Sequence, residues 1–270
     1  MIILHLSDLH FGAEDPPLVE KLASVVAEIS PDLIIASGDF TQRGSRREFK
    51  AAREFFARLQ KPWIAVPGNH DVPRLNPLLR VFNPFHLYRS YISPQLDFTW
   101  ENDVVKIVCL NTARSFFLKD WNWASGSVNA RQLDFLKENA ANREGKLLIA
   151  VVHHPAQVPD DYHFQSRFWN KDRFIDTLLN HKYDLMLCGH SHISYQSDYK
   201  LGGYDNSLVC LSAPTAISVR RREGHGNGFN VIKLDEAGLH YRKFIWNNGN
   251  FASGELIEVK SGFKPANSPA

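Results

Sequence analysis

The sequence predicts an α/β domain organised around parallel strands, and three observations support that fold class. Strand-like and helix-like segments alternate along the first third of the chain. Three strand-like runs end in the polar residues Asp8, Asp39 and Asn69, which are 31 and then 30 positions apart, about the length of a βαβ unit. The 270 residues are 44% hydrophobic, which is enough for one large core. We therefore expect a single domain over residues 1–260.

Hydrophobic periodicity defines the first five elements. Residues 2–7, 33–37 and 63–66 are short and apolar, as buried strands are. Residues 18–29 and 45–60 repeat their apolar side chains at helical spacing. The resulting order, βαβαβ, predicts parallel strands joined by crossover helices.

Residues 72–101 interrupt this alternation. They contain proline and asparagine, and their aromatic residues fit one short helix: Phe82, Phe85, Tyr88 and Tyr91. We expect residues 72–103 to form a small insertion over the sheet edge, acting as a cap or as a contact between subunits of a homo-oligomer.

The remaining elements are predicted from the same patterns. We expect strands at 104–110, 147–152 and 184–188, and helices at 128–141 and 172–180. The last quarter has strand-like runs joined by turns, which predicts an antiparallel sheet from segments 208–213, 229–234 and 239–246. The tail, 261–270, is predicted to be disordered.

Composition limits the partners and the compartment. The formal net charge is +2, so overall charge does not indicate a nucleic-acid or membrane partner. The first residues lack the features of a signal peptide, and no run reaches the roughly 18 apolar residues of a membrane span. Cys109, Cys188 and Cys210 lie in apolar runs, where thiols are usually buried, and an odd count fits a reducing compartment. We expect a cytoplasmic protein.

Five polar blocks follow apolar strands. They are Asp8-Leu9-His10, Gly38-Asp39, Gly68-Asn69-His70-Asp71, His153-His154-Pro155 and Gly189-His190-Ser191-His192. Ligands of α/β sheets gather at the carboxyl ends of strands, so these blocks are expected to converge. Their mixed oxygen and nitrogen donors suit two ions of Zn, Mn, Fe or Co that share one carboxylate, and Asp39, on the middle strand of the first three, is the natural bridge.

Each block alone has a simpler interpretation. Asp-x-His after a strand is commonly a turn or a cap, and Gly-His-x-His could also be a turn. His153 or His154 alone could be a hydrogen-bonded core histidine, and Asp71 could cap a helix. The coincidence of all five blocks with five strand ends is what favours a metal centre.

Together the blocks resemble the calcineurin-like metallophosphoesterase superfamily, and the resemblance extends over residues 1–234. It implies a four-layer α/β/β/α sandwich of two mixed sheets flanked by helices. It also implies that Asp8, His10, Asp39 and His192 hold one metal ion, and that Asp39, Asn69, His153 and His190 hold the other. Either His153 or His154 could be the ligand. The family pattern favours His153 and leaves His154 beside the metal or the substrate.

The resemblance also implies an activity. In it, His70 lies beside the leaving-group oxygen as general acid, Asp71 orients the His70 ring, and a hydroxide formed at the metals attacks the phosphorus in line. The motifs are most similar to the bacterial cyclic-nucleotide and glycerophosphodiester phosphodiesterase branch, which implies a small-molecule phosphodiester substrate.

The walls of the substrate site are less specific. Arg74 and Asn76 follow the third block and are candidate substrate-binding residues, and an aromatic loop offers Phe116, Phe117, Trp121 and Trp123. An apolar cap or an oligomer contact would use the same aromatic residues. Arg220-Arg221-Arg222 could attract a phosphate or be a solvated turn. Rival functions are a phosphomonoesterase, a nucleotide-sugar or lipid-precursor pyrophosphohydrolase, an exonuclease, and a non-catalytic metal-binding interaction module.

Overall fold

The computed structural model describes residues 1–115, 123–159, 168–200, 207–260 and 263. The helices are α1 Pro16–Ile29, α2 Arg46–Leu59, α3 Pro77–Phe82, α4 His86–Tyr91, α5 Ala130–Ala141 and α6 Lys171–Asn180. The strands are β1 Ile2–Leu6, β2 Leu33–Ala36, β3 Trp63–Ala65, β4 Phe98–Glu101, β5 Val105–Cys109, β6 Gly126–Ser127, β7 Leu147–Val151, β8 Phe168–Trp169, β9 Leu185–Cys188, β10 Tyr195–Lys200, β11 Ser207–Ser212, β12 Gly228–Asp235, β13 Gly238–Asn247 and β14 Asn250–Glu258.

Two six-stranded mixed sheets form the centre of the molecule. The first has the order β14-β13-β12-β1-β2-β3, with β1, β2 and β3 parallel and the other pairs antiparallel. The second has the order β10-β11-β9-β7-β5-β4, with the four central strands parallel and the edge strands antiparallel. Strands β6 and β8 form a separate parallel pair.

The two sheets pack face to face through branched side chains. Ile3, Ile35 and Ile64 of the first sheet share one buried cluster with Ile107 and Ile149 of the second. Side chains alternate between the faces of a strand, so the neighbours of these residues pack outward. Outward residues of β1 and β2 pack with α1 and α2, and outward residues of β7 and β9 pack with α5 and α6. The predicted order of layers, helix, sheet, sheet, helix, is confirmed.

Helix α2 shows how local sequence determines an element. Ser45 accepts a hydrogen bond from the Glu48 backbone N–H, and the Glu48 carboxylate accepts one from the Ser45 N–H, which completes a capping box. The buried residues of the helix recur at helical spacing and face the sheet: Phe49, Ala52, Phe55, Phe56 and Leu59. The cap and the apolar stripe together define where α2 begins and which side it buries.

The last quarter differs from the prediction in two strands. Strands β12 and β13 pair antiparallel as expected, and β14, which the sequence patterns did not predict, extends this ribbon. Strand β11 lies in the second sheet instead, parallel to β9. Every residue of β11 from Leu208 to Ser212 is buried. A strand buried on both faces is typical of a parallel sheet centre, which explains the difference.

The segment 72–103 contains more than a cap. Tyr88 on α4 is fully buried, and its ring centroid lies 6.1 Å from that of Phe40, so α4 belongs to the core beside α2. The segment ends in β4, the edge strand that pairs with β5. Of the predicted disordered tail, only Phe263 is described, and it packs on the cluster between the sheets. Among the described residues, no helix has the length and hydropathy needed to cross a membrane.

Candidate metal centre

The polar blocks all follow strands that end at the same edge of the sandwich. Asp8 and His10 follow β1, Asp39 follows β2, and Asn69 follows β3, all in the first sheet. The second sheet supplies three histidines after β7 and β9: His153, His190 and His192. Carboxyl ends of parallel strands from both sheets therefore meet in one crevice.

One half of the crevice is formed by Asp8, His10 and His192. Asp8 Oδ1 lies 3.1 Å from His192 Nε2 and 3.6 Å from His10 Nε2. The two Nε2 atoms are 3.1 Å apart. These three side chains could hold one metal ion.

The other half contains Asn69, His153 and His190. Asn69 Oδ1 lies 3.0 Å from His190 Nδ1 and 3.2 Å from His153 Nε2. Between the halves, Asp39 Oδ2 is 3.4 Å from His153 Nε2 and 3.7 Å from His10 Nε2. The Asp39 carboxylate therefore reaches both halves, as a bridging ligand must.

The spacing of these atoms fits metal coordination. Ligands about 2.0–2.2 Å from one ion lie roughly 3–3.5 Å from each other. The separations in both halves are close to that range. Asp8 Oδ1 is buried and has no hydrogen-bond donor among the described residues, which is costly for a carboxylate unless a cation lies against it. The residues present therefore fit two metal ions.

The backbone of the centre is strained. Asp8, His10, Asp39, His190 and His192 all have left-handed backbone conformations, with φ between 48° and 65°. Non-glycine residues seldom adopt this conformation, which costs on the order of 1–3 kcal/mol each and is concentrated at functional sites. The surrounding packing therefore holds the side chains in an arrangement that local preference alone would not select.

A glycine allows the two sheets to approach each other here. A Cβ atom on Gly189 would collide with Ser7 Oγ and would come within 2.5 Å of Asp8 Oδ2. The Ser7 hydroxyl donates to Asp8 Oδ2 at 2.6 Å, and the His190 N–H donates to the same oxygen at 2.8 Å. Oδ2 is thus held by donors, while Oδ1 faces the histidines.

Backbone carbonyls orient three of the histidine rings. The Nδ1–H of His153 donates to the Ser37 carbonyl and that of His192 to the Arg220 carbonyl, both at 2.7 Å. The Nδ1–H of His10 donates to the Thr41 carbonyl at 3.3 Å. Fixing the proton on Nδ1 leaves the Nε2 lone pair to face the crevice. His190 differs, because its Nδ1 faces Asn69.

The pKa shifts of Asp8, Asp39 and His190 suit cation binding. Burial raises the pKa of Asp8, but His192 and His10 outweigh it and hold that pKa well below its usual range. Burial also opposes ionisation of Asp39, yet His153 and His70 lower its pKa overall. Burial and the neighbouring His153 lower the pKa of His190 to about 3. Ionised carboxylates and a neutral imidazole are the forms that bind metal.

His70 lies at the open side of the crevice. Its backbone N–H donates to Asp39 Oδ1 at 2.8 Å, and its ring Nδ1–H donates to the Gln42 carbonyl at 2.8 Å. The remaining ring nitrogen, Nε2, accepts from Arg220 Nη1 at 3.1 Å. The ring is therefore fixed with Nε2 towards the pocket.

Asp71 does not have the contact expected from the sequence. Its Oδ1 accepts from the Thr41 N–H and hydroxyl at 3.0 and 3.1 Å, and its Oδ2 accepts from the Gly68 N–H at 2.9 Å. The Gln42 carbonyl, rather than Asp71, orients the His70 ring. Asp71 instead closes the turn that carries Asn69 and His70, and burial together with Asp39 raises its pKa to about 7.

The two adjacent histidines have different surroundings. His153 Nε2 lies among the oxygens of Asp39 and Asn69. The His154 ring is held through Nδ1 by the Thr112 hydroxyl at 2.8 Å, and it lies 4.6 Å from the His190 ring between centroids. His154 Nε2 is buried without a hydrogen-bond partner among the described residues. The geometry favours His153 as ligand and places His154 next to it.

A pocket of about 380 Å³ opens beside Asn69 and His70. Arg74 and Trp123 line it, whereas Asn76 caps α3 by accepting from the Leu79 N–H at 3.0 Å. Gln42 and Arg80 also line the pocket although no sequence pattern predicted them, and Arg220 lines it although the sequence showed it only as part of a basic run. No local motif marks these residues. Phe116, Phe117 and Trp121 lie outside the described residues.

Comparisons with known proteins identify the family of the chain. A family model described as Calcineurin-like phosphoesterase matches residues 1–194. The probable glycerophosphodiester phosphodiesterase GpdQ of Arcobacter nitrofigilis is 25% identical over 206 residues, which are 71% of this chain and 72% of the relative. The 3',5'-cyclic adenosine monophosphate phosphodiesterase CpdA of Escherichia coli is 26% identical over 214 residues, 73% of this chain and 71% of the relative.

A solved structure shows the same fold. A dimetal phosphatase from Danio rerio covers 96% of this chain and 99% of its own, with a TM-score of 0.66 at 11% identity. The family resemblance and the fold class expected from the sequence are both confirmed. The chain belongs to the calcineurin-like phosphoesterase family and is a metal-dependent phosphoester hydrolase.

Proposed function

We propose that this enzyme hydrolyses a small-molecule phosphodiester at a centre of two metal ions. Asp8, His10 and His192 bind one ion, Asn69, His153 and His190 bind the other, and Asp39 bridges them. The main support for this proposal is the position of Asp39 Oδ2, which lies within 3.7 Å of a histidine nitrogen in each half of the crevice. The ligands offer both oxygen and nitrogen atoms, which suit ions of Mn, Fe, Zn or Co.

The chain's own residues position the substrate and handle the proton. When bound, two ions would neutralise the phosphate oxygens and lower the pKa of a water near them. His70 Nε2 faces the pocket, so a protonated His70 can give its proton to the departing oxygen there. The Arg220 guanidinium contacts His70 Nε2 in this structure. If Arg220 binds a phosphate oxygen of the substrate instead, His70 Nε2 becomes available to the departing oxygen.

Two arguments support a diester. Both curated relatives described above are named as diesterases. The pocket beside His70 also reaches Trp123, which offers space for a substituent on the phosphate. The rival phosphomonoesterase, pyrophosphohydrolase and exonuclease activities would use the same metal centre, so substrate comparison has to separate them.

The test is hydrolysis of bis(p-nitrophenyl) phosphate by the protein after reconstitution with Mn²⁺. Asp39→Ala is expected to lose bound metal and to fall to the background rate, because it removes the shared ligand. His70→Ala is expected to keep its metal and to lose roughly 10²–10⁴-fold in kcat, the usual contribution of a general acid. Metal content measured by mass spectrometry separates the two effects.

A matched control uses Asp176→Asn, an exposed position on α6, which is expected to leave rate and metal content unchanged. Full activity of Asp39→Ala would contradict the proposal. Faster turnover of p-nitrophenyl phosphate than of the diester would favour a phosphomonoesterase. Metal binding without hydrolysis of either compound would favour an interaction module.

Two broader expectations belong to the same proposal. A cytoplasmic location is supported by the three buried cysteines, all of them free thiols. Homo-oligomerisation through segment 72–103 is supported by apolar side chains exposed on and before α3, with Leu75, Leu78 and Phe82 each more than 70% exposed.

A further inference from the structure

We propose that the substrate carries a second phosphate group, and that Arg80 and Arg74 bind it in the pocket beside His70. This inference rests on the proposed phosphodiesterase function and specifies its substrate class. Asn69 and His70 line the side of the pocket next to the metal centre, and Arg74, Arg80 and Trp123 line its wall.

Arg80 is a buried guanidinium, and one of its three nitrogens has no hydrogen-bond partner among the described residues. The residue is 7% exposed. Its Nε donates to Ser115 O at 3.0 Å, its Nη1 donates to Pro73 O at 3.4 Å, and its guanidinium carbon lies 4.3 Å from the centre of the Trp123 ring. Nη2 is buried and has no hydrogen-bond partner among the described residues. A buried charged donor in this state is costly, and an anion would satisfy it.

The pocket also concentrates positive charge. Arg74, Arg80 and Arg220 all line it, and within the described ranges none of them has a carboxylate oxygen at ion-pair distance. Burial, with Arg74 nearby, lowers the pKa of Arg80, as expected for cations held together without an anion. The chain as a whole has a net charge of only +2, so this cluster is local.

The arginines divide between two positions. Arg220 contacts His70 Nε2 and therefore serves the phosphate that is cleaved. Arg80 is fixed to the pocket wall by the Ser115 and Pro73 carbonyls, and the aromatic ring of Trp123 covers it. A cyclic nucleotide or a simple glycerophosphodiester has a single phosphate, which the metal centre takes. Such a substrate would leave the Arg80 donor unsatisfied.

The experiment compares three diesters that differ in one phosphate, the dinucleotides ApA, pApA and ApAp, with the Mn²⁺-loaded enzyme. We expect the better of the two phosphorylated compounds to exceed ApA at least about tenfold in kcat/KM, since charge-assisted hydrogen bonds contribute more than neutral ones. Competition provides a second readout. Adenosine 3',5'-bisphosphate is expected to inhibit at least about tenfold more tightly than AMP.

Variants test whether the arginines are responsible. The two ratios are kcat/KM for the better phosphorylated dinucleotide over ApA, and the inhibition by adenosine 3',5'-bisphosphate over that by AMP. Arg80→Gln is expected to bring both ratios close to one, and Arg74→Gln to reduce them. Arg80 also holds two carbonyls, so thermal melting must show that its variant folds. Arg74 is exposed, and its variant keeps the test valid if Arg80→Gln does not fold. Arg173→Gln, an exposed arginine on α6, is the matched control and should leave both ratios unchanged.

The outcomes separate this inference from the function on which it rests. Hydrolysis of bis(p-nitrophenyl) phosphate with equal kcat/KM for the three dinucleotides and equal inhibition by the two nucleotides would overturn the second-phosphate site alone. Unchanged ratios in both arginine variants would overturn the assignment of that site to Arg74 and Arg80. Absence of diester hydrolysis by the wild-type protein would instead overturn the proposed function.

Discussion

At the scale of single residues, Arg220 links two parts of the centre through different atoms. Its backbone carbonyl accepts from His192 Nδ1, and its guanidinium donates to His70 Nε2 and, at 3.2 Å, to Gln42 Oε1. The backbone contact orients a proposed metal ligand and survives any substitution that keeps the backbone in place. The side-chain contact touches only the proposed general acid and the pocket.

This division predicts the effect of Arg220→Gln. We expect kcat/KM for bis(p-nitrophenyl) phosphate to fall roughly 10- to 100-fold, the effect of losing one hydrogen bond from a charged group, while metal content stays at the wild-type level. Steady-state kinetics and metal analysis measure the two quantities. Arg221→Gln, the exposed neighbour, is the control. Loss of metal in Arg220→Gln would show that the side chain, and not the carbonyl, supports His192.

Single residues also show what sequence could and could not predict of the site. The seven proposed ligands could be named because each follows an apolar strand within a short block. The pocket arginines could not, because Arg80 is on a helix of an interrupted segment and Arg220 lies 150 positions from His70 in sequence. The expected contact of Asp71 with His70 was wrong, since Thr41 and Gly68 lie nearer to its carboxylate.

At the scale of elements, Asp184 ties the start of β9 to its neighbours. Its Oδ2 accepts from the Leu148 N–H on β7 at 2.8 Å and from Arg143 Nη2, after α5, at 2.7 Å. Burial raises the pKa of Asp184 to about 6, although these donors and the Arg143 charge oppose the shift. The native state therefore binds this proton more tightly than the unfolded chain does.

The sign of this shift predicts a pH dependence. A raised carboxyl pKa contributes stability that is complete below pH 4 and is lost as the pH rises to about 6. Asp184→Asn cannot ionise, so the free energy of unfolding of the wild type should fall relative to this variant by about 2–3 kcal/mol between pH 4 and pH 7. Urea titrations at several pH values measure the difference. A constant difference would contradict the prediction.

Elements differ in how well sequence predicted them. Strands β1, β2, β3, β7 and β9 are apolar apart from His5 in β1, and the sequence predicts them at these places. Strand β10 reads Tyr-Gln-Ser-Asp-Tyr-Lys, and these polar residues give no strand pattern in the sequence. They are tolerated because β10 is an edge strand with only one neighbour. The sheet membership of β11 depends on pairing with β9, which no local pattern encodes.

At the scale of the whole molecule, segment 72–103 divides into a buried and an exposed part. Helix α4 joins the core through Tyr88, whereas Phe82 at the end of α3 is 81% exposed. Leu75 and Leu78, on or just before the same helix as Phe82, are also exposed. Such a group of exposed apolar side chains is typical of an interaction surface. The proposed homo-oligomer would bury them.

This proposal predicts a change in molecular mass. Phe82→Asp is expected to convert an oligomer into a monomer, measured by light scattering during gel filtration, because a charge would have to be buried at the contact. Val219→Asp replaces another exposed apolar residue, 61% exposed, outside the segment, and should leave the mass unchanged. A wild-type protein that is already monomeric would contradict the proposal.

The proposed ligands come from two separate sheets, and this has a mechanical consequence. The first sheet contributes Asp8, His10, Asp39 and Asn69, and the second contributes His153, His190 and His192. An ion held by residues of both sheets would cross-link the two halves of the sandwich, joining β1, β2 and β3 to β7 and β9. Such an ion binds the native state selectively, so a higher free metal concentration would raise the free energy of unfolding. Metal supply would then affect the stability of the protein as well as its activity.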